Sequence, residues 1–361
     1  MLLSVYAPGH LDYYDSYGLI ACQLVRHLSH MGNEVNAIAM GYPQVESQPS
    51  DIKTLTAKPI VPTLGGLMLG YPTFYKDYGP MAQHGPRVAI TMFESTKLPD
   101  GWVESLNRMD AVITPSWFCE EVFRKNGVIA PIHVIPLGVN EVYKYSPTRP
   151  SITERPLTFL AFTDRGTRKG GTEAIHAYMM AFAGESDYRL VLKGRASKEH
   201  AKEELLRSNI FQIHDDYNET QMAQLYRSCD VLINPHKGEG FGLLPREFAA
   251  TGGLALTTDW SGTADGLDLW GIRIPCSLGY AEGRSKLLAG QDLGYWAVVD
   301  PARLAEQLRH VADHWPLYQE QARAKMQAAQ LLYRWDQFAH DVLGVWKEVV
   351  DGFARRTAAA A

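Results

Sequence analysis

The sequence predicts an α/β protein made of two units, each built around a parallel sheet. Short apolar runs alternate with amphipathic runs along most of its 361 residues, which is the order of strand–helix–strand units. A segment with three prolines and few apolar residues, 145–156, separates two such stretches. We therefore place a domain boundary there and expect a cleft between the units, with ligands at the carboxyl ends of the strands.

The first stretch begins with an apolar run, LLSVY, and an amphipathic segment that Gly32-Asn33 ends. Segment 41–86 is rich in Gly, Pro and Tyr, and we expect loops with short elements there. The other elements predicted from the pattern are strands at 2–6, 34–40, 87–93, 111–116 and 132–140, and helices at 17–31, 101–109 and 117–126.

The second stretch repeats the alternation and ends in a long amphipathic helical segment, 316–356. The predicted strands are 157–162, 188–194, 210–215, 231–236 and 254–258. The predicted helices are 170–182, 198–208, 219–229, 245–251 and those from about 301 onward. The predicted domains are 1–148 and 149–330, with a helix at 331–357 that returns to the first domain.

Composition excludes several classes of protein. Lys and Arg number 35 against 40 Asp and Glu, a net charge of −5, so a generally basic nucleic-acid binder is not expected. No apolar run reaches the ~18–20 residues that span a bilayer, and the first ten residues lack a basic region and contain Pro8-Gly9, unlike a signal peptide. The four cysteines are widely spaced, which favours reduced thiols. We expect a cytoplasmic protein without membrane insertion.

The strongest chemical signal is the run HKGEGFGLLPREFAATGG, residues 236–253. It follows a buried strand, and Gly240 and Gly242 allow backbone N–H groups to approach a ligand closely. Pro245 suits the first turn of a helix, whose N-terminus favours a phosphate. Glu239 in the loop and Glu247 in the helix could flank one phosphate pocket, and a carboxylate accepts hydrogen bonds from vicinal hydroxyls.

The second signal is a pair of cations in a strand-to-helix turn, LAFTDRGTRKGG. Arg165 and Lys169 there could neutralise a diphosphate leaving group as negative charge builds on it. Arg168 is the alternative to Arg165 for that role. A third candidate is Glu94, at the carboxyl end of a buried strand and next to the expected cleft.

Glu239-GFGLLPR-Glu247-FAATGG resembles the E-x7-E signature of the retaining glycosyltransferases of family 4, which have the GT-B fold and include glycogen-synthase-like enzymes. The resemblance covers residues 1 to about 345, although Phe248 replaces the usual Ala. It implies that the N-terminal domain binds the acceptor and the C-terminal domain binds a nucleotide-sugar donor. It further implies that Glu239 contacts the donor sugar and Glu247 the nucleotide ribose. Glu94 would orient the acceptor hydroxyl or contact the donor sugar.

The resemblance implies further donor-binding and acceptor-binding residues. Family members carry an R-x4-K-G pattern, whereas Arg165 and Lys169 are separated by three residues here. Donor contacts are implied at Gly18, Lys193, Gly194, Gly240, Phe241, Gly242 and Leu243. Acceptor contacts are implied at Tyr13, Tyr14 and Tyr17, near the first helix.

The expected reaction is transfer of a sugar from a nucleoside-diphosphate sugar, UDP favoured over GDP, to an acceptor hydroxyl. We expect retention at the anomeric carbon and no metal, since no DxD pattern follows a strand. The expected acceptor is a saccharide or glycan. The alternatives are a hydroxylated nucleobase in DNA, as for virus-encoded DNA glycosyltransferases, and a non-catalytic nucleotide-sugar-binding protein. A Rossmann dehydrogenase is not expected because the first loop lacks G-x-G-x-x-G.

Overall fold

The computed structural model describes residues 1–8, 11, 13, 15–41, 48–143, 155–163, 166–196, 203–281 and 288–360. The chain forms two compact units. The first unit comprises Met1–Phe93, Lys97–Gly138 and Arg334–Ala361, and the second comprises Glu94–Thr96 and Val139–Tyr333. All but the last two residues of the predicted linker, 145–156, lie outside the described residues.

The first unit contains a sheet of six parallel strands. The strands are β1 (Leu2–Ala7), β2 (Glu34–Ala39), β3 (Gly66–Leu69), β4 (Arg87–Ile90), β5 (Ala111–Thr114) and β6 (Ile132–Val134). They lie in the order β2-β1-β3-β4-β5-β6, and every pairing is parallel. The predicted parallel sheet is therefore confirmed, and β3 is the strand that the Gly- and Tyr-rich segment 41–86 contributes.

Four helices connect these strands: α1 (Ser16–His30), α2 (Ser50–Thr56), α3 (Trp102–Leu106) and α4 (Trp117–Lys125). Local capping fixes where two of them begin. The Asp15 side chain accepts a hydrogen bond from the N–H of Gly18, at 2.8 Å, at the start of α1. Ser116 caps α4 through the N–H of Cys119, at 3.2 Å. Side-chain oxygens in these positions satisfy N–H groups that have no partner within the helix.

The second unit contains a sheet of seven strands in the order β13-β12-β11-β7-β8-β10-β9. Only β9 is antiparallel to its neighbour among these described strands. The strands are β7 (Leu157–Phe162), β8 (Tyr188–Gly194), β9 (Glu203–Arg207), β10 (Ile210–His214), β11 (Val231–Asn234), β12 (Leu254–Thr258) and β13 (Ile272–Ile274). A separate antiparallel pair joins β14 (Ser277–Tyr280) and β15 (Tyr295–Val298).

Helices cover this sheet and close its core. They are α5 (Gly171–Phe182), α6 (Glu219–Ser228), α7 (Leu243–Ala250), α8 (Leu267–Trp270), α9 (Pro301–Asp313) and α10 (Trp315–Leu332). Phe159 on β7 packs against Phe182 of α5, with ring centroids 5.1 Å apart. Both rings are fully buried, so the apolar faces predicted for this strand and helix meet in one core.

Three predicted elements were wrong in kind or extent. Segment 198–208 was predicted to be a helix, but Glu203–Arg207 is the edge strand β9, which pairs with β10. Pairing with the sheet there overrides helix propensity, which is a weak constraint. Segment 132–140, predicted to be a strand that leads into a turn, is a strand only as far as Val134. The helical segment 316–356 is interrupted at Tyr333-Arg334, after which α11 (Trp335–Ala360) begins.

The helix α11 belongs to the first unit. It packs against α1 and also approaches β4 and β5. Trp335, Phe338 and Trp346 are buried on it, as its amphipathic pattern requires. The expectation that the C-terminal helix returns to the N-terminal domain is thus confirmed.

Candidate active site

The candidate site lies in the second unit, where three neighbouring strands end. The strands β12, β11 and β7 are adjacent and parallel, so their carboxyl ends share one edge of the sheet. The segments that follow them are 163–170 after β7, 235–242 after β11 and 259–266 after β12. Open α/β sheets bind ligands at this edge.

Two glycines let these segments approach one another. Gly170 has a φ of +73°, and a Cβ added there would lie 2.0 Å from the carbonyl oxygen of Pro235. A Cβ added at Gly238 would lie 1.9 Å from the carbonyl oxygen of Glu94. Any larger residue would push the segments apart. The close approach therefore places the side chains on either side of these glycines within reach of one another.

A cluster of charged side chains results, which we call the ion cluster: Glu94, Arg168, Lys169 and Glu239. The Nζ of Lys169 lies 2.6 Å from Oε1 of Glu239, and Nη1 of Arg168 lies 3.2 Å from the same oxygen. Arg168 also reaches Oε1 of Glu94 at 3.6 Å. It donates a hydrogen bond to the carbonyl of Gly238 at 2.8 Å. One carboxylate oxygen thus holds two cations.

Burial and charge act in opposite directions on Glu239. Burial alone would raise the pKa of its carboxyl, but Lys169 and Arg168 hold that pKa far below its ordinary value. An opposite charge within a few ångströms favours the ionised form. Glu239 is therefore a carboxylate at all physiological pH values.

The backbone of Glu239 is held as firmly as its side chain. Its N–H donates to Oγ of Ser261 at 3.0 Å, and its carbonyl accepts from the N–H of Gly262 at 2.9 Å. Ser261 has a φ of +63°, a conformation that non-glycine residues rarely adopt and that is often found where strain serves a function. The turn after β12 therefore fixes the loop after β11.

Arg246, which the sequence analysis did not single out, lies beneath this loop. Its side chain is fully buried. Its guanidinium donates to the carbonyl oxygens of Phe241, of Gly242 at 3.3 Å, of Gly262 at 3.0 Å and of Asp265 at 3.2 Å. The sequence offered one signal, a charged residue on the helix beside Glu247, but only the structure shows it to be buried.

Aromatic rings surround the same guanidinium. Its carbon lies 4.0 Å from the ring centroid of Phe241, 4.5 Å from that of Trp270 and 4.8 Å from that of Tyr333. Cations are attracted to such ring faces. Burial nevertheless lowers the pKa of Arg246 below its ordinary value.

Glu247 differs from Glu239 in protonation. It lies among the buried residues Pro245–Ala250 of α7, and burial, followed by the charge of Glu219, raises the pKa of its carboxyl to about 8. The positive charge of Lys169 acts in the opposite direction. At neutral pH Glu247 is therefore mostly protonated, whereas Glu239 is ionised.

His236 is a second residue that the sequence analysis did not single out. Its Nε2 lies 2.8 Å from Oγ1 of Thr263, whose hydroxyl donates to the carbonyls of Thr258 and Trp260. Nε2 therefore carries the ring proton and donates it. Burial lowers the pKa of the imidazole to about 3, so the ring is neutral. It stabilises the turn that holds Glu239.

Of the predicted cation pair, Arg165 and Lys169, the structure describes only Lys169. Arg165 lies outside the described residues, so its role stays a prediction. Arg168, the alternative, is a member of the ion cluster. Lys169 and Glu239 are in direct contact as described above, and Glu94 reaches the cluster through Arg168.

The predicted donor residues at the end of β8 lie one strand beyond β7. Lys193 is buried, and its Nζ donates to the carbonyls of Gly194 and Asp215 at 2.5 and 2.6 Å. A Cβ at Gly194 would lie 2.8 Å from Nδ1 of His214. The proposed donor contacts of Lys193 and Gly194 stay predictions.

The predicted residues near α1 have partners within the first unit. The hydroxyl of Tyr13 accepts from Arg26 at 2.6 Å and from Gln23 at 3.2 Å. The hydroxyl of Tyr17 accepts from the N–H of Met92 at 3.3 Å. Tyr14 lies outside the described residues. The N–H of Gly18 donates to the Asp15 cap, as noted above, and the assigned roles of these residues stay predictions.

No three or more His, Cys, Asp or Glu side chains among the described residues are grouped so that they could hold a metal ion. None of the described helices combines the length and apolar character that crossing a bilayer requires.

Solved structures of three proteins share the fold. A sucrose-phosphate synthase from Thermosynechococcus elongatus matches with a TM-score of 0.68 and 13% identity, covering 98% of this chain and 100% of that one. HepE from Anabaena, in complex with UDP and glucose, matches with a TM-score of 0.69 and 12% identity, and the match covers 96% of this chain and 100% of HepE. An α,α-trehalose 6-phosphate synthase from Burkholderia multivorans matches with a TM-score of 0.68 and 12% identity, and the match covers 99% of this chain and 98% of the synthase. The predicted GT-B fold is confirmed.

A family match identifies the chain as a glycosyltransferase. The family model described as "Family 4 Glycosyltransferase in conflict systems" matches residues 116–342, more than half of the chain. The chain belongs to this family, and the resemblance expected from Glu239 and Glu247 is confirmed at the level of the family. No protein in the curated collection matches.

The raised pKa of Glu247 predicts how its substitution alters stability. A carboxyl whose pKa rises from 4.5 to about 8 on folding contributes stability below pH 4.5, and this is lost as the pH rises through 8. Glu247→Gln has no proton to lose. We expect the melting temperature of Glu247→Gln to exceed that of the wild type by more at pH 9 than at pH 5. Glu306→Gln, on the exposed face of α9, is the control, and an equal difference at both pH values would contradict the prediction.

Proposed function

We propose that the protein transfers a sugar from a nucleoside-diphosphate sugar to an acceptor hydroxyl, with retention at the anomeric carbon and without a metal ion. The observation that carries this proposal is the ion cluster at the carboxyl edge of the second unit's sheet. Arg168 and Lys169 converge on Glu239 within 3.2 Å, at a sheet edge where ligands bind.

The two cations suit the donor diphosphate. As the sugar leaves, negative charge grows on the terminal phosphate, and buried, preoriented cations stabilise it more than they would in water. Lys169 offers a point charge and Arg168 a planar fork. They provide the electrostatic stabilisation that a divalent metal provides in other transferases.

The two glutamates suit the sugar and the nucleotide. Glu239 is ionised and can accept hydrogen bonds from the hydroxyls of the donor sugar. Glu247, one turn into α7, would face the ribose, whose hydroxyls both donate and accept. A protonated carboxyl can donate to one ribose hydroxyl and accept from the other.

The family resemblance implies retention, and the contacts of Glu239 bear on the route by which it would occur. Its Oε1 is engaged by both cations, so attack by this oxygen on the anomeric carbon would cost two ion pairs. We therefore favour attack from the front face, in which the departing phosphate takes the proton of the acceptor hydroxyl. The bond between the anomeric carbon and the phosphate oxygen breaks, and the bond between the anomeric carbon and the acceptor oxygen forms on the same face of the sugar.

The proposed acceptor is a saccharide hydroxyl. The fold is shared with a sucrose-phosphate synthase and with trehalose-phosphate synthases, one of them in complex with glucose-6-phosphate. Free and phosphorylated sugars are therefore the first acceptors to test. DNA that contains a hydroxylated base is the competing acceptor, and its modification would overturn the saccharide proposal.

The donor is tested by binding and turnover. UDP-sugars at about 100 Kd should stabilise the full chain by ~2.7 kcal/mol, and GDP-sugars at equal concentration should stabilise it less. Release of UDP with a saccharide acceptor should continue in excess chelator, and NMR of the product should show the anomeric configuration of the donor. No stabilisation by any nucleotide sugar would overturn the proposed function. Turnover abolished by chelator would overturn the proposed independence from metal. A product with inverted anomeric configuration would overturn the proposed retention.

Lys169→Ala tests the role of the point charge. Because the charge matters most as the phosphate leaves, we expect kcat to fall ~10²–10³-fold while KM changes little. Lys125→Ala is a matched control, since Lys125 forms an exposed ion pair with Glu121. A near-wild-type kcat for Lys169→Ala would remove Lys169 from the mechanism.

Comparison of two arginine variants tests which one supplies the second cation. Arg168 contacts Glu239 and is nearly buried, so we expect Arg168→Met to lower kcat/KM more than Arg165→Met does. Initial rates at several donor concentrations measure both. A larger loss in Arg165→Met would restore Arg165 to the catalytic role implied by the family resemblance.

A further inference from the structure

Arg246 connects the two loops that hold Glu239, yet it does not belong to the ion cluster. Two of its hydrogen bonds go to the loop after β11, at Phe241 and Gly242, and two go to the turn after β12, at Gly262 and Asp265. Its side chain has no exposed area. The contacts on Arg246 therefore fix the orientation of peptide groups in both loops.

The direction of the carbonyls determines the direction of the amides. In a planar trans peptide, the C=O of one residue and the N–H of the next point in opposite directions. The carbonyls of Phe241 and Gly242 point inward to Arg246. The N–H groups of Gly242 and Leu243, in the same two peptide units, therefore point away from it.

These amides lie at the N-terminus of α7, which begins at Leu243. The first N–H groups of a helix have no acceptor within the helix and attract anions. Gly242 has a φ of +83°, and a Cβ there would lie 2.4 Å from Cγ2 of Thr263. Glycine is therefore required for the conformation that lets Arg246 reach both carbonyls.

The charge of Arg246 adds to this arrangement. The four hydrogen bonds described above all go to backbone carbonyls, and the rings of Phe241, Trp270 and Tyr333 surround the guanidinium. Carbonyl dipoles and ring faces stabilise a cation without cancelling its net charge. That charge lies beneath the amides, on the side opposite to an incoming anion, and it also interacts favourably with the carboxylates of Asp265 and Glu239.

We propose that Arg246 is a positioning residue that directs the amides of Gly242 and Leu243 at the diphosphate of the donor. This inference depends on the proposed function, since it assumes a nucleoside-diphosphate donor. Arg246 itself is buried beneath the loop and acts through the backbone. Its loss should weaken recognition of the diphosphate and leave recognition of the nucleoside unchanged.

The test compares UDP with uridine, which lacks the diphosphate. In Arg246→Met we expect the Kd of UDP, from calorimetry, to rise on the order of tenfold or more, as for the loss of charge-assisted hydrogen bonds. The Kd of uridine, from ligand-observed NMR, should not change. Arg309→Met is a matched control, because Arg309 also lies on an aromatic ring, 4.6 Å from the centroid of Phe182, and donates to the carbonyl of Ala181.

A second variant covers the case in which Arg246→Met fails to fold. Arg246→Lys keeps the charge but not the planar fork, and it should show a smaller loss of UDP affinity with uridine binding intact. Equal losses for UDP and uridine in Arg246→Lys would indicate a merely structural role and overturn the inference, as would unchanged UDP affinity in either variant. If the wild type binds neither UDP nor GDP, the proposed function fails first, and the inference fails with it.

Discussion

The site depends on one ionic interaction, in which the Glu239 carboxylate holds Arg168 and Lys169 together. Like-charged groups this close would repel one another without the carboxylate between them. Ionised groups are rarely this buried unless they are paired. The ion pairs therefore keep two cations together at the edge of the sheet.

Backbone contacts decide whether that interaction forms. The segment that carries Arg168 and Lys169 approaches the segment that carries Glu239 because Gly170 allows it to contact the carbonyl of Pro235. His236 holds the turn after β12 through Thr263, and Arg246 joins that turn to the loop after β11. Three segments from three adjacent strands are thus held together by groups outside the ion cluster. Rigid support of this kind keeps electrostatic groups oriented before the reaction begins.

The two glutamates of the signature show how position alone assigns different chemistry to the same residue type. Glu239 lies between cations and is ionised, whereas Glu247 is buried near Glu219 and is mostly protonated at neutral pH. Burial raises the pKa of both carboxyls, and only the neighbouring charges differ in effect. One carboxyl can therefore accept hydrogen bonds only, while the other can also donate.

The sequence by itself determined the two-unit α/β architecture, the order of most strands and helices, and the family, because hydrophobic periodicity and the spacing of Glu239 and Glu247 are local properties. It also identified Lys169 and Glu239 as residues of one site. Only the tertiary structure decided that Glu203–Arg207 is an edge strand, because strand pairing is a long-range interaction that local propensity does not encode. It alone placed Arg168 on Glu239, buried Arg246 beneath the loop, and gave the two glutamates opposite protonation, because burial and the distances between charges arise only once distant segments pack together.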